Sequence, residues 1–290
     1  MSFIAAAFLL ACVTALTCAL PGVFIVLRGQ SMLIDAMSHA VLPGIVIGVA
    51  LTGTLHSPAM TVAATIMGLM IVWMSNWLRS HAIVSGDADQ GVLFPALFAL
   101  GVLLMSTTFR NVHVSEHTVL AGDLNLMALR SEHIIVGGIN YGPRAMWPLI
   151  VVLALTALYI AVFWRVLRVS IFDRHFALTA GMPVRLAENG LMLLVALTVV
   201  SAFSVAGSIL VMALMICPAA TAVLFSRSLG TAVGISLAVA LISAAIGFWV
   251  AWKLELPTSA AMAMFDGVLF VGALVARRAW KCHRRRCRLA

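Results

Sequence analysis

Charge is what this chain has least of: 10% of its 290 residues are charged, where a soluble domain carries about 25%. That shortage, with 63% hydrophobic residues, excludes an ordinary water-soluble protein. A long polar stretch is also missing, so no catalytic domain of the usual aqueous kind is attached. No GxxxxGK[ST] phosphate loop occurs, so if the protein works against a gradient its energy source lies elsewhere. The strict polar–apolar alternation of a membrane β-barrel is absent too. The five cysteines give no disulfide framework: Cys12, Cys18 and Cys217 fall in apolar runs, where a small thiol packs, and Cys282 and Cys287 flank a basic tail. No fixed-period repeat or low-complexity segment interrupts the chain.

What is present is a series of apolar runs of about 18 residues or more, each long enough to cross a bilayer as a helix. The fold class expected is all-α, an integral-membrane bundle of eight or nine spans. They fall near residues 3–27, 31–54, 58–78, 91–110, 147–166, 190–204, 206–225, 231–252 and 256–276. The stretch from Gly190 to Phe225 exceeds one crossing at about 1.5 Å per residue and should turn near Ser204 to Ser208. Gly207 and Pro218 make a broken or kinked helix expected there. The first span lacks a basic leader and is too long for a signal sequence, so it reads as retained. Residues 1–276 form one transmembrane domain, with a segment at about 170–188 on the cytoplasmic side and a basic tail at 277–290.

The net charge of +8 does not signal nucleic-acid binding, because seven of the 18 basic residues lie in the last 14 positions, directly after an apolar run. The positive-inside rule puts that tail in the cytoplasm, where anionic lipid attracts it. With nine spans the N-terminus lies outside, and Arg28, Arg79, Arg165, Arg168, Arg174, Arg185 and Arg227 lie inside. Residues 111–146 then form an extracytoplasmic connection, with Gly137 to Pro143 as its irregular part.

Asp35 and His39 carry the strongest chemical signal. An ionisable side chain within lipid costs at least a few kcal/mol, and these two share a helix face one turn apart. Oxygen and nitrogen donors together suit Mn(II), Zn(II) or Fe(II). One pair supplies too few ligands, but a two-fold axis parallel to the spans would bring in a second. Since a histidine must be neutral to bind metal, passage through such a site should weaken toward about pH 5. The plainer alternative is an Asp–His contact bracing the start of the span, with Arg28 nearby as counter-ion.

A rival is His113-Val114-Ser115-Glu116-His117, which spells the H-x-x-E-H of inverted zinc peptidases. It lies just past a span end, with only Asp123 and His133 nearby as further ligands. Loop residues that attract metal at a membrane entrance are the other reading. His56 and His81 read as solvated loop histidines. Asp266 should lie within the last span, either in a polar helix–helix contact or facing a pore.

The run Gly22-Val23-Phe24-Ile25-Val26-Leu27-Arg28-Gly29-Gln30-Ser31-Met32, leading into Asp35-Ala36-Met37-Ser38-His39-Ala40-Val41-Leu42-Pro43-Gly44, resembles the permease subunits of bacterial ABC importers for manganese, zinc and iron. Gly207-Ser208-Ile209-Leu210 with Ala213 to Ala222, Gly122-Asp123-Leu124, and the Phe172–Met182 stretch extend the resemblance from about Leu9 to Val275. It implies a compact fold like the vitamin-B12-type permeases and a dimer, of identical or paralogous chains. It also implies two cytoplasmic ATPase subunits and an extracytoplasmic metal-binding protein. The resemblance makes Asp35 and His39 the pore-site metal ligands, and Asp173, Phe176, Ala177 and Gly181 the ATPase-coupling helix. No cofactor is held permanently, because the metal is cargo; no enzymatic activity is expected of this chain. The wording around His39 is nearer the manganese and iron branch than the zinc branch. A gradient-driven secondary transporter and a membrane metallopeptidase are the competing classes.

Overall fold

The computed structural model describes residues 3–52, 58–81, 88–108, 124, 133–136 and 139–286. Its long helices are α1 (Phe3–Leu27), α2 (Ser31–Thr52), α3 (Pro58–Ser80) and α4 (Ala88–Thr108) in the first half. The second half holds α5 (Met146–Val162), α8 (Val184–Ala206), α9 (Ser208–Phe225), α10 (Leu229–Leu254) and α11 (Thr258–Arg286). Two short helices, α6 (Trp164–Phe172) and α7 (Arg174–Thr179), lie between α5 and α8. Among the described residues, seven helices are long and apolar enough to cross a membrane, and the α5–α6 pair, bent by 73°, makes an eighth candidate. The apolar part of α4, Gly91–Thr107, is shorter. The chain is thus a multi-pass membrane protein whose helices follow the expected spans to within a few residues, with one early start and one late end, α11 running ten residues past the expected 276.

That start is α8, which begins at Val184 and not near 190. The extra turns carry Arg185 and Glu188, too polar for the apolar run but helical because Glu188 finds cationic partners there. The turn expected between 204 and 208 is at Gly207, whose φ of +79° a residue with a Cβ rarely adopts. Pro218 does not break the chain; α9 runs through it to Phe225. The stretch expected to be irregular near Gly137–Pro143 instead contributes a strand. β1 (His133–Val136) pairs antiparallel with β2 (Ile139–Pro143), with Val136 opposite Ile139. The β-branched residues flanking Gly137-Gly138 are a hairpin signal that its polarity concealed.

Helices in lipid gain little from hiding apolar surface and associate by close packing. α1 sits at the centre, against α5, α8, α9 and α10, with Phe24, Ile25 and Leu10 fully buried. α2 packs on α3 and α4 to one side; α9, α10 and α11 pack together on the other. Outward apolar side chains such as Trp73, Leu103, Val151, Ile242 and Val268 are exposed, as lipid-facing residues should be.

Asp266 lies near the middle of α11 and is 1% exposed. The Ser243 hydroxyl of α10 donates to its Oδ1, which makes it a helix–helix contact and not a pore-facing group. α11 itself continues without interruption past Arg277 and Arg278 to Arg286.

Candidate functional site

Asp35 and His39 lie within the first three turns of α2, and the structure brings them together: His39 Nε2 is 3.3 Å from Asp35 Oδ1. Both are partly open, with side chains 22% and 31% exposed for His39 and Asp35, while Ala36, Met37 and Ser38 around the helix are buried. The imidazole is held by α4, its ring centroid 4.6 Å from that of Phe94 and 5.5 Å from that of Phe98. His39 Nδ1 is buried with no hydrogen-bond partner among the described residues.

The residues following His39 explain how this face is held. Ala40, Val41 and Leu42 are buried, and Gly44 meets α3 so closely that a Cβ there would lie 2.5 Å from Ala64 Cα. From α4, a Cβ on Gly101 would lie 2.9 Å from Pro43 Cδ. α2 is therefore clamped between two backbones, and the clamp fixes the direction of the Asp35–His39 face. Ser38 turns its hydroxyl inward onto Ile34 O at 2.9 Å, so it adds no ligand.

Among the described residues no three His, Cys, Asp or Glu side chains gather as a metal site. One chain offers the Asp35–His39 pair. Arg28, expected as a counter-ion to it, is engaged elsewhere: its Nη2 lies 3.6 Å from Glu188 Oε1 and donates to Ser170 Oγ at 3.4 Å. Burial pulls the Arg28 guanidinium below its ordinary pKa, and the Glu188 carboxylate opposes that shift.

The second predicted cluster is the short α7. Asp173 is its N-cap, in extended conformation, with Oδ1 accepting from Phe176 N at 2.8 Å. Gly181, at φ +72°, ends the element: Gly181 N donates to Leu178 O and Met182 N to Ala177 O, each at 3.1 Å. Ala177 is buried, and Phe172 and Phe176 are 72% and 59% exposed. Phe176 on the capped α7 and Phe172, the last residue of α6, thus leave two aromatic rings bare at this end of the chain. Glu188 and Ser243 were not anticipated; an acidic residue at the foot of an apolar run was the available signal for the first, and a lone serine gives none. His113, Glu116, His117, Asp123 and His56 lie outside the described residues.

The family model described as "ABC 3 transport family" matches residues 1–277. The chain belongs to that family. It is 36% identical over 259 residues to the manganese transport system membrane protein MntD of Bacillus subtilis, covering 89% of this chain and 87% of the relative. It is 38% identical over 262 residues to the zinc transport system membrane protein TroD of Treponema pallidum, covering 90% and 71%. Its fold is similar to a chain of PsaBC from Streptococcus pneumoniae in complex with Fab, with TM-score 0.77, 26% identity, and 94% and 91% coverage. The relatives are transport-system membrane proteins, not enzymes, and membership in a transport family displaces the metallopeptidase reading of His113, Glu116 and His117.

Proposed function

We propose that this chain is the membrane-spanning permease subunit of an ATP-driven importer of divalent transition-metal ions, with Mn(II) as cargo ahead of Zn(II) and Fe(II). The observation that carries the reading is the half-open Asp35–His39 pair on a clamped helix, two donors short of a site by itself. Two chains about an axis parallel to the spans would supply two carboxylates and two imidazoles. An oxygen–nitrogen set of that size holds a passing divalent ion while leaving room for release. The ion is the substrate, and the site's task is transient coordination.

Supporting the coupling role is the capped α7, with Phe172 and Phe176 exposed beside Asp173, Ala177 and Gly181. Cytoplasmic ATPase subunits would dock there, and an extracytoplasmic metal-binding protein would deliver the ion to the opposite end. On this reading α7 and the basic tail at 277–290 face the cytoplasm of a bacterial inner membrane, residues 1–276 form the permease domain, and access alternates as the partners bind and hydrolyse ATP. The relatives named for manganese, zinc and chelated iron transport support the metal class.

The test is uptake of radiolabelled Mn(II) and Zn(II) by the complex reconstituted with its ATPase and metal-binding protein. Asp35→Ala and His39→Ala should each cut uptake by at least about tenfold, since each deletes a ligand. Unchanged uptake in both variants would remove the proposed pore site.

A further inference from the structure

At the end of the bundle that carries α7, two cationic side chains from different elements meet on one carboxylate. Arg174 of α7 donates from Nε to Glu188 Oε1 at 3.2 Å and to Oε2 at 3.4 Å, and from Nη2 to Oε2 at 3.2 Å. From the other side Arg28 brings Nη2 to 3.6 Å from Oε1 of the same group. Arg28 and Glu188 are mostly enclosed, at 12% and 19% exposure, whereas Arg174 is 54% exposed. Two guanidinium groups thus share one acceptor, so a change in the hold of either alters the hold of the other.

The two arginines are attached to different machinery. Arg174 is the first residue of α7. Arg28 stands at the turn between α1 and α2, which is closed by hydrogen bonds: Gly29 N donates to Val26 O at 3.0 Å and Gln30 N to Ile25 O at 3.1 Å, with Gly29 at φ +67°. α2 starts three residues after Arg28, and Asp35 follows one turn later. Glu188 itself is anchored, because the Tyr159 hydroxyl of α5 reaches Leu186 O at 3.0 Å and Ala187 O at 3.2 Å just before it.

We infer that Glu188 is a positioning residue for transport, the fixed post of an ionic relay that joins movement of α7 to the α1–α2 turn and so to the helix bearing Asp35 and His39. When a partner draws α7 outward, Arg174 leaves the shared carboxylate and Arg28 closes on it; when α7 returns, the grip is divided again. An exposed ion pair would carry little such coupling, but this one is screened from water on the Arg28 side. The inference rests on the coupling role proposed for α7.

The experiment measures Mn(II) uptake and ATP hydrolysis together, in proteoliposomes holding the full complex with its ATPase subunits and metal-binding protein. Glu188→Gln keeps the size and polarity of the side chain and removes its charge. The expected result is hydrolysis within about twofold of wild type and about tenfold fewer ions moved per ATP, the range of a typical coupling energy. Arg174→Gln should uncouple likewise, and the double variant should be no worse than the worse single, since both remove one interaction. Arg168→Gln, an exposed arginine of α6 outside the cluster, should leave the ratio unchanged. An unchanged ratio in Glu188→Gln, an equal fall in hydrolysis and uptake, or additive losses in the double variant would each overturn the relay. The transport reading would stand in those cases, whereas a wild-type complex that moves no Mn(II) would sink both.

Discussion

Adding one methyl group at Gly44 should test whether the α2–α3 clamp sets the Asp35–His39 face. In an open helix a Gly→Ala change stabilises by about 0.5–1 kcal/mol, because alanine loses less backbone entropy on folding. At Gly44 the new Cβ would fall 2.5 Å from Ala64 Cα, about 0.9 Å inside the 3.4 Å at which ordinary contact begins. The obstacle is backbone, with Ala63 O and Ala64 N both at 3.0 Å, so no side chain can swing aside. α2 and α3 must part, and four residues on, Gly48 packs as tightly on Met60, which parting would also loosen. Overpacking of this kind costs about 1–3 kcal/mol, and the net after the helix-propensity gain is destabilising by about 1–2 kcal/mol.

The assay pairs Gly44→Ala with Gly267→Ala and Gly272→Ala, both on α11 where a Cβ meets nothing within 4 Å. Thermal unfolding in detergent should place Gly44→Ala below wild type by several degrees, at about 2–4 °C per kcal/mol, with the α11 variants at or above it. Mn(II) uptake should fall in Gly44→Ala even at temperatures where the variant remains folded, since the parting re-aims the face carrying Asp35 and His39. If Gly44→Ala matches the α11 variants in both stability and uptake, the close α2–α3 crossing is not what holds the site.

Two other substitutions probe groups with one main partner. Ser243→Ala leaves the buried Asp266 carboxyl without the hydroxyl it accepts from, and should destabilise the chain by about 1–3 kcal/mol in detergent unfolding. Restoring a partner of similar reach with Ser243→Thr should recover most of that loss. Asp173→Ala removes the N-cap of α7 and should cost about 1 kcal/mol locally, read as faster hydrogen exchange at the Phe176 amide with the overall unfolding midpoint little changed.

Much of this architecture was legible before any coordinates, because lipid imposes one rule that the chain cannot evade: a spanning segment must be long, apolar and helical. The run from Gly190 to Phe225 shows how far that rule reaches. Its length demanded a turn, and the glycine at 207 marked the place. The start of α8 was not legible, since helix continues wherever backbone and polar partners allow, and the partner of Glu188 comes from residues 28 and 174. The hairpin was hidden for a related reason, as its strands of four and five residues are too short for the length rule to speak to them. For the site, spacing alone placed Asp35 one turn from His39, whereas the capping of α7 by Asp173 was not read from the sequence. That Arg28 serves Glu188 and leaves Asp35 alone required knowledge of which helices meet.

The two acidic residues deepest in the predicted spans, Asp35 and Asp266, show why the first is the better candidate for handling an ion. Both pose the same problem, a carboxyl group carried into a membrane. At Asp266 the fold encloses it: the side chain is 1% exposed, and Ser243 on the neighbouring helix donates to one oxygen. A group shut in that way has no route for an ion to reach it, and its effect is to join α10 to α11. At Asp35 the fold builds a rigid setting and then leaves the face partly open, with aromatic rings of α4 against the imidazole and a buried ring nitrogen without a partner among the described residues. A bracing contact has no use for that opening, since a brace gains from enclosure. On the proposed reading, a second such pair with a cation between them would complete the donors that this face leaves open.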